Sequence, residues 1–540
     1  MIRKKVLAAL FGGSALVFST TAVAQEPPAA QQEPSEPDQS DATADAAIAA
    51  AAPVDDAAAR IELLQAQVEA LQEALEGVKT QMAKTTPTWK GAPLYEDKDE
   101  GWSFKPRGRI QYDAGYVSNP DDQPNGGLLT RNLGFNTRVR RIRLGAEGTI
   151  PGGFGYKFEM DYANSIVGFG DAIITYAPKG KIWSWAIGNQ ETNNSLEQIT
   201  SSRFVSFMER SAFNDAFINT RRIGVNFGLV NKAGDMRFNA GLFAGHSIDS
   251  SFDNEGWIAA ARAVYAPILG GNQMHFGANF QHRNFQANNG STVSGAINAP
   301  STNRFARYRA RPFTQTTDVR FVDTGSFAAK SDDIFGLEFI GIFKSLHVTA
   351  EGQYLKSNAY GSGDTFNVAD TRNLFAGSTA GTTTVSALVP SGNPHFWGAY
   401  AEAGYFITGE TRGYKNGTWD RTKVLKPFSK GGWGAFQVNG RVDYLNLDAS
   451  KLRNGFNNNF QTGIAAASVN NTRGGKQLGL LGSVIWIPED CLRMYLQYSH
   501  AFVTGGPLAD EVEGIASSAP GIEDEKYGVD FIGTRLQVDF

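Results

Sequence analysis

Cysteine is almost absent. The single Cys491 among 540 residues excludes a disulfide scaffold, a cysteine-ligated zinc site and a C-x-x-C redox pair. Long apolar runs are also missing: past the N-terminus, no stretch approaches the roughly 18 residues that mark a membrane helix. Histidine is scarce, and His275, His347 and His500 lie on separate segments. No G-x-S-x-G, H-E-x-x-H or P-loop motif occurs, so no catalytic residue, no metal site and no cofactor is expected. The net charge is small, −4, but unevenly spread: residues 25–60 carry eight acids against Arg60, and residues 61–540 balance to zero. Overall charge therefore says nothing about selectivity.

What is present begins with Arg3, Lys4 and Lys5, an apolar run from Val6 to Phe18, and Ala22-Val23-Ala24. This pattern predicts a secretory signal peptide over residues 1–24, with Ala22 and Ala24 as the cleavage signature. Residues 25–57, acidic and rich in Ala and Pro, read as a disordered spacer. Over 58–85, Ile61, Val68, Leu75 and Met82 alternate at spacings of three and four with Leu64, Leu71 and Val78. That is an a/d seam, which predicts a coiled coil; a lone amphipathic helix packed on the body is the alternative. Thr85-Thr86-Pro87 ends the helix, and the seam does not separate dimer from trimer.

From residue 100 to 540 the period is two. Phe154, Tyr156, Phe158, Met160 and Tyr162 interleave with Gly155, Lys157, Glu159 and Asp161, and fifteen further segments behave alike. The sixteen strands fall near 102–117, 138–149, 154–162, 171–177, 182–189, 222–229, 236–246, 256–266, 273–283, 333–342, 346–355, 396–408, 434–446, 477–487, 491–500 and 527–540. An even number of such strands, with tight turns alternating with long loops and a C-terminal Phe540, predicts an all-β, 16-stranded antiparallel transmembrane barrel in the outer membrane of a Gram-negative bacterium, in contact with its lipid and lipopolysaccharide. Both termini would be periplasmic. The connection 409–433 is long on the turn side and breaks the pattern. A secreted soluble β-protein is the competing fold, but its polar faces would all have to meet solvent.

The polar phase turns Lys105, Arg107, Arg109, Arg141, Arg143, Lys157, Arg222, Arg237, Arg262, Arg441, Arg493 and Arg535 inward, against ten acids. These bases either form a ladder for anions or pair across the wall with the acids. The stretch 190–221 alternates nowhere, and a long insertion of this kind can fold into the lumen and narrow it. Glu191, Glu197, Arg203, Phe204, Glu209, Arg210 and Arg221 are its candidate constriction residues, with Phe204, Phe207 and Phe213 pinning it to the wall. In a second long loop, Arg304, Arg307, Arg309 and Arg311 interleave with aromatics. On an exported chain this reads as an electropositive vestibule or a lipopolysaccharide contact, and no nucleic-acid partner is expected.

The motifs SLEQITSSRFVSFMERS after a GNQ strand end, YRARPF…RFVDTG followed by GLE, and TGETRGY…KPFSKGGWGAFQVNGRVDYLNLD resemble blocks of the phosphate-selective porin O and P family. The resemblance covers roughly residues 100–540 and implies a homotrimeric, 16-stranded porin whose third loop constricts the pore. It also implies basic side chains that attract phosphate or other small anions, with passive diffusion rather than catalysis. Two positions depart from the family pattern: Glu191 stands where a lysine is usual, and Phe313 where an acid follows Arg-Pro. General, weakly selective diffusion and a structural tether through the coiled coil remain the alternative functions.

Overall fold

The structure is a computed structural model. It describes residues 57–85, 87–89, 91–120, 133–163, 167–217, 220–245, 248, 256–285, 305–359, 386–454, 456–459, 464–468, 474–514, 516 and 519–540. The expected signal peptide with Ala22 and Ala24, the spacer up to residue 56, and Arg304 lie outside them. Two units are distinct, Met1–Lys79 and Thr80–Phe540. Helix α1 (Ala57–Thr85) holds the heptad segment, and Ile61, Leu64, Val68, Leu71 and Leu75 are each at least half exposed on it. Val78 and Met82 continue the same helix.

Sixteen long strands follow: β1 (Trp102–Val117), β2 (Gly134–Ile150), β3 (Phe154–Asp161), β4 (Gly168–Tyr176), β5 (Trp183–Gln190), β6 (Arg222–Val230), β7 (Met236–Ala244), β8 (Gly256–Tyr265), β9 (Asn272–Phe285), β10 (Phe327–Phe343), β11 (Leu346–Ala359), β12 (His395–Phe406), β13 (Ala435–Asn446), β14 (Lys476–Glu489), β15 (Leu492–Thr504) and β16 (Lys526–Asp539). Each pairs antiparallel with the next. β16 returns to β1, with Asp539 opposite Arg109 and Phe531 opposite Val117, so the sheet closes and has no free edge. Most strands run one to several residues past their alternating segment, because the ladder continues where the side-chain pattern fades.

The alternation is inside-out. On β16, Arg535 is 1% and Gln537 0% exposed, while Leu536 and Val538 are 40% and 41% exposed. Polar inside and apolar outside is how a strand divides between a wet lumen and hydrocarbon, and it removes the soluble β-protein from consideration. Closure ends on the last residue. Phe540 exchanges backbone hydrogen bonds of 3.1 Å with Gly108 in both directions, and its ring lies where a Cβ on residue 108 would stand. Only glycine admits the ring there.

Seven connections, from 151–153 to 490–491, lie at the rim that holds this seam, and eight lie at the far rim. Among the described residues, parts of three of them leave the rims and enter the bore. Residues 191–221 connect β5 to β6 and carry α2 (Leu196–Ile199) and α3 (Ala212–Phe217). Residues 305–326 run beneath the far rim, where Asn136 and Arg138 on β2 bond the carbonyls of Thr316 and Gln315 at 2.7 and 2.9 Å. The irregular connection 407–434 enters from the seam rim. Its hairpin pairs Tyr414 with Trp419, and Arg412 lies 3.7 Å over the Trp419 ring.

Gly108→Val should prevent the Phe540 ring from seating. The fraction of chain that runs as a compact, heat-modifiable barrel on gels should fall several-fold, while Gly440→Val, with open space around its Cβ position, should leave it unchanged.

Candidate constriction site

The loop 191–221 is held by ionic and aromatic contacts, most of them to β11–β16, with further bonds from Gln111 on β1, Arg140 on β2 and Gln281 on β9. At its start, Asn193 and Ser195 take positive φ, 55° and 62°, turning the chain into α2. The Ser195 hydroxyl accepts from Gln198 N at 3.2 Å as the N-cap, and the next two amides, Leu196 and Glu197, donate to the Glu351 carboxylate on β11 at 2.9 and 3.2 Å. Arg441 on β13 bonds Glu197 and Glu402 at 2.6 Å each, while Asp443 accepts from Ala212 N at 3.2 Å. Phe207 and Phe213 are fully buried; Phe213 stacks on Tyr400 at 6.0 Å, and Arg441 sits 4.7 Å over Phe207.

A second clamp comes from the closing strand. Arg535 holds Asp113 with two bonds of 2.6 Å and Glu209 at 2.9 Å, and Arg140 holds Glu209 with bonds of 2.7 and 3.0 Å. Burial would raise the Glu209 carboxyl, but Arg140 and Arg535 overcome it and hold it well below the usual carboxylate range.

The open space left by the loop lies against β1–β5, β7 and β8. A cavity of about 490 Å³ remains there. Nine bases border it: Arg107, Arg109, Arg140, Arg141, Arg143, Lys157, Arg210, Arg221 and Arg262. Only three acids do: Glu159, Asp171 and Glu191. Each acid is already engaged. Glu159 meets Arg143 at 2.8 Å and Arg109 at 3.4 Å, and Asp171 is shared by Lys157 and Arg221. Glu191 meets Arg221 at 3.1 Å. Arg141 bonds Gln111 at 2.8 Å, and Arg210 bonds the carbonyls of Glu197, Gln198 and Thr200 at 2.7, 3.1 and 3.0 Å. Neither has a carboxylate partner among the described residues. Burial lowers Arg210 from its ordinary value, opposed by Glu191 and Glu197. Arg107, Arg140 and Arg262 are paired with Glu147, Glu209 and Glu338, so the positive charge left over in this narrow space is that of Arg141 and Arg210.

Several expected positions differ. Arg441, Arg493 and Arg535 do face inward, but they are buried under the loop and hold it rather than border the opening. Glu197 and Phe204 are likewise buried in the anchor and Glu209 is part-buried there, because a loop lining a lumen must satisfy its own back face against the wall. Arg203 lies 5.0 Å from the Phe204 ring and 3.7 Å from Asp539. Lys105 and Arg107 stand near the seam, Arg107 paired with Glu147. Arg222 folds back onto Thr220 and the Arg221 carbonyl. Arg237 and Arg262 flank Gly417 of the hairpin, with Arg262 bonded to Glu338 at 2.6 Å. In the second loop, Arg307 pairs with Asp323, Arg309 is exposed, and Arg311 bonds Asp215 of α3 and Asp318. Arg311 therefore braces one loop on another instead of presenting a free charge at the mouth. Phe313 is buried, its ring occupying the space beside Gly479.

Two groups escaped strict alternation. A bulge between Gln111 and Tyr112 shifts the register of β2, so Arg138 and Arg140 turn inward along with Arg141 and Arg143. The signal was the run of bases itself, RVRRIR. The hairpin residues Asn416 and Thr418 also border the cavity, and no period could place them.

A closed, inside-out barrel whose bore is narrowed by an inward loop defines a porin, a channel of the outer membrane. Residues 104–505 match the phosphate-selective porin O and P family, and the chain belongs to that family. It is 33% identical over 472 residues to an uncharacterized protein of Caulobacter vibrioides, covering 86% of this chain and 78% of that one. It is 24% identical over 399 residues to Porin O of Pseudomonas aeruginosa, covering 69% and 79%. Among solved structures it is similar to an anion-selective porin from Comamonas acidovorans, with a TM-score of 0.42, 10% identity, and 81% and 100% of the two chains covered.

Arg441→Leu leaves Glu197 and Asp443 without their cation, a loss of about 3–5 kcal/mol in buried contexts. The loop should detach, and single-channel conductance should rise with a lowered unfolding temperature. Glu209 gives a pH test. Its depressed value means that the clamp is present above the unfolded carboxylate pKa of about 4.3 and is lost as pH falls through the lower folded value. Any conductance step that Glu209→Gln abolishes should therefore lie below about pH 4, and a Glu209-dependent step already complete at pH 5 would contradict the clamp.

Proposed function

We propose that the pore passes small hydrophilic anions by passive diffusion, phosphate among them, past a constriction made by the loop 191–221. The observation that carries this reading is that Arg141 and Arg210 border the cavity without a carboxylate partner among the described residues. Positive charge in a narrow, low-dielectric bore lowers the free energy of an anion and raises that of a cation. Glu191 does not cancel the surplus, because Arg221 neutralises it within the same loop.

A general, weakly selective porin is the second reading. It is favoured by the engaged acids on the same wall, since Glu159 and Asp171 each sit between two bases. In the same proposal the chain assembles as a homotrimer, with residues 1–24 removed on export and the N-terminal segment in the periplasm. The exposed seam of α1 supports self-association as a coiled coil. The rim that holds the seam is then periplasmic, and the long loops of the far rim meet lipopolysaccharide.

Planar-bilayer recordings in a KCl gradient test the selectivity. The reversal potential should lie on the anion side, and added phosphate should reduce chloride current. Replacing Arg141 and Arg210 together by alanine should lower the anion-to-cation permeability ratio roughly fivefold, as about 1 kcal/mol of lost attraction would. A cation preference in the unaltered protein would leave the general porin.

A further inference from the structure

The outer half of the connection 407–434 does not enter the bore. Its segment 423–433 reads KVLKPFSKGGW and lies at the seam rim beside β13 and β14. Val424 is buried beneath it, whereas Leu425, Phe428 and Trp433 are 58%, 47% and 78% exposed. Lys423, Lys426 and Lys430 are exposed between them and form no ion pair among the described residues.

The segment is nonetheless ordered. Val424 N donates to Asp490 at 2.9 Å, Leu425 N to Glu410 at 3.2 Å, and Ser429 N to Glu489, so the neighbouring acids hold the backbone rather than the lysines. Gly434 N donates to the Lys426 carbonyl at 2.8 Å, closing the turn. The aromatic groups continue the outward wall. Phe428 meets Trp486 edge-on at 5.4 Å, Phe436 stacks on Trp486 at 6.0 Å, and Trp486 Nε1 donates to the Trp433 carbonyl at 2.8 Å.

We infer that this platform is a binding site for an anionic phospholipid of the inner leaflet, which rests on the seam rim being periplasmic. Two independent features select that occupant. The aromatic surface is continuous with the hydrocarbon-facing side of β13 and β14, where Trp and aromatic side chains sit at headgroup depth. The three lysines complement a phosphodiester charge, and their stems can lie along apolar surface while the ammonium groups reach the headgroup. A zwitterionic lipid would satisfy the first feature but offers the lysines no net negative charge, because its own ammonium offsets its phosphodiester.

The test uses the full-length, folded barrel exchanged from detergent into nanodiscs of phosphatidylethanolamine with or without phosphatidylglycerol. Native mass spectrometry reads the lipids retained after release. The unaltered protein should keep phosphatidylglycerol in preference, and added inorganic phosphate should not displace it, which separates a lipid headgroup from a free phosphate. K423Q/K426Q/K430Q should lower phosphatidylglycerol retention about tenfold with phosphatidylethanolamine unchanged. Heat-modifiability on gels shows that the barrel remains folded. Trp433→Phe, which keeps the lysines, should remove part of the fluorescence quenching produced by phosphatidylglycerol brominated on its chains. Equal retention by the triple variant overturns the site, and so does a change of oligomeric state without loss of lipid, which would assign the platform to a second copy of the chain. The proposed anion preference of the pore stands or falls separately, since no residue of this platform borders the cavity.

Discussion

A backbone amide placed in hydrocarbon finds no water, so every strand in a membrane must have a neighbour on both sides. Everything else in this protein depends on how that requirement is met. Sixteen strands close through the pairing of β16 with β1, and the period of two then assigns each residue to lipid or lumen. The inward half of every strand becomes a polar interior surface, rich in Arg, Glu, Gln and Asn, on which other parts of the chain can be built.

That interior surface is used asymmetrically. On β11–β16 its charges are occupied by the loop 191–221, through the contacts of Arg441 and Arg535 and the aromatic group around Tyr400. On β1–β5 several of them border the passage, although Arg109, Gln111 and Arg140 also bond the loop. The same residue type thus serves two ends: arginine under the loop is a fastener, and arginine opposite the loop sets the field. Position relative to the loop decides which.

The strands were legible because alternation is a local property that each segment states for itself. Even so, the pattern overstates regularity. Arg138 and Arg140 look outward by counting, and a single bulge turns them in. The candidate site was legible only in part, for a related reason. Alternation shows that Arg441 and Arg535 face the bore, but not that a loop covers them. The inward course of Arg412 to Trp419 has no period at all; it is fixed by tertiary contacts such as Tyr414 with His275, 139 residues apart. Glu191 was conspicuous in the sequence as a misplaced acid, yet its partner Arg221 lies thirty positions later at the other end of the loop.

The clamp on Glu209 has a bearing on assembly. Arg535, which holds it, stands on β16, the strand that closes the barrel against β1. Without β16 the barrel therefore has neither a sealed wall nor a fully fastened loop. Sealing the wall and completing the grip on the loop thus fall to the same strand, while Glu351, Arg441 and Arg140 hold the rest of the loop from elsewhere in the wall.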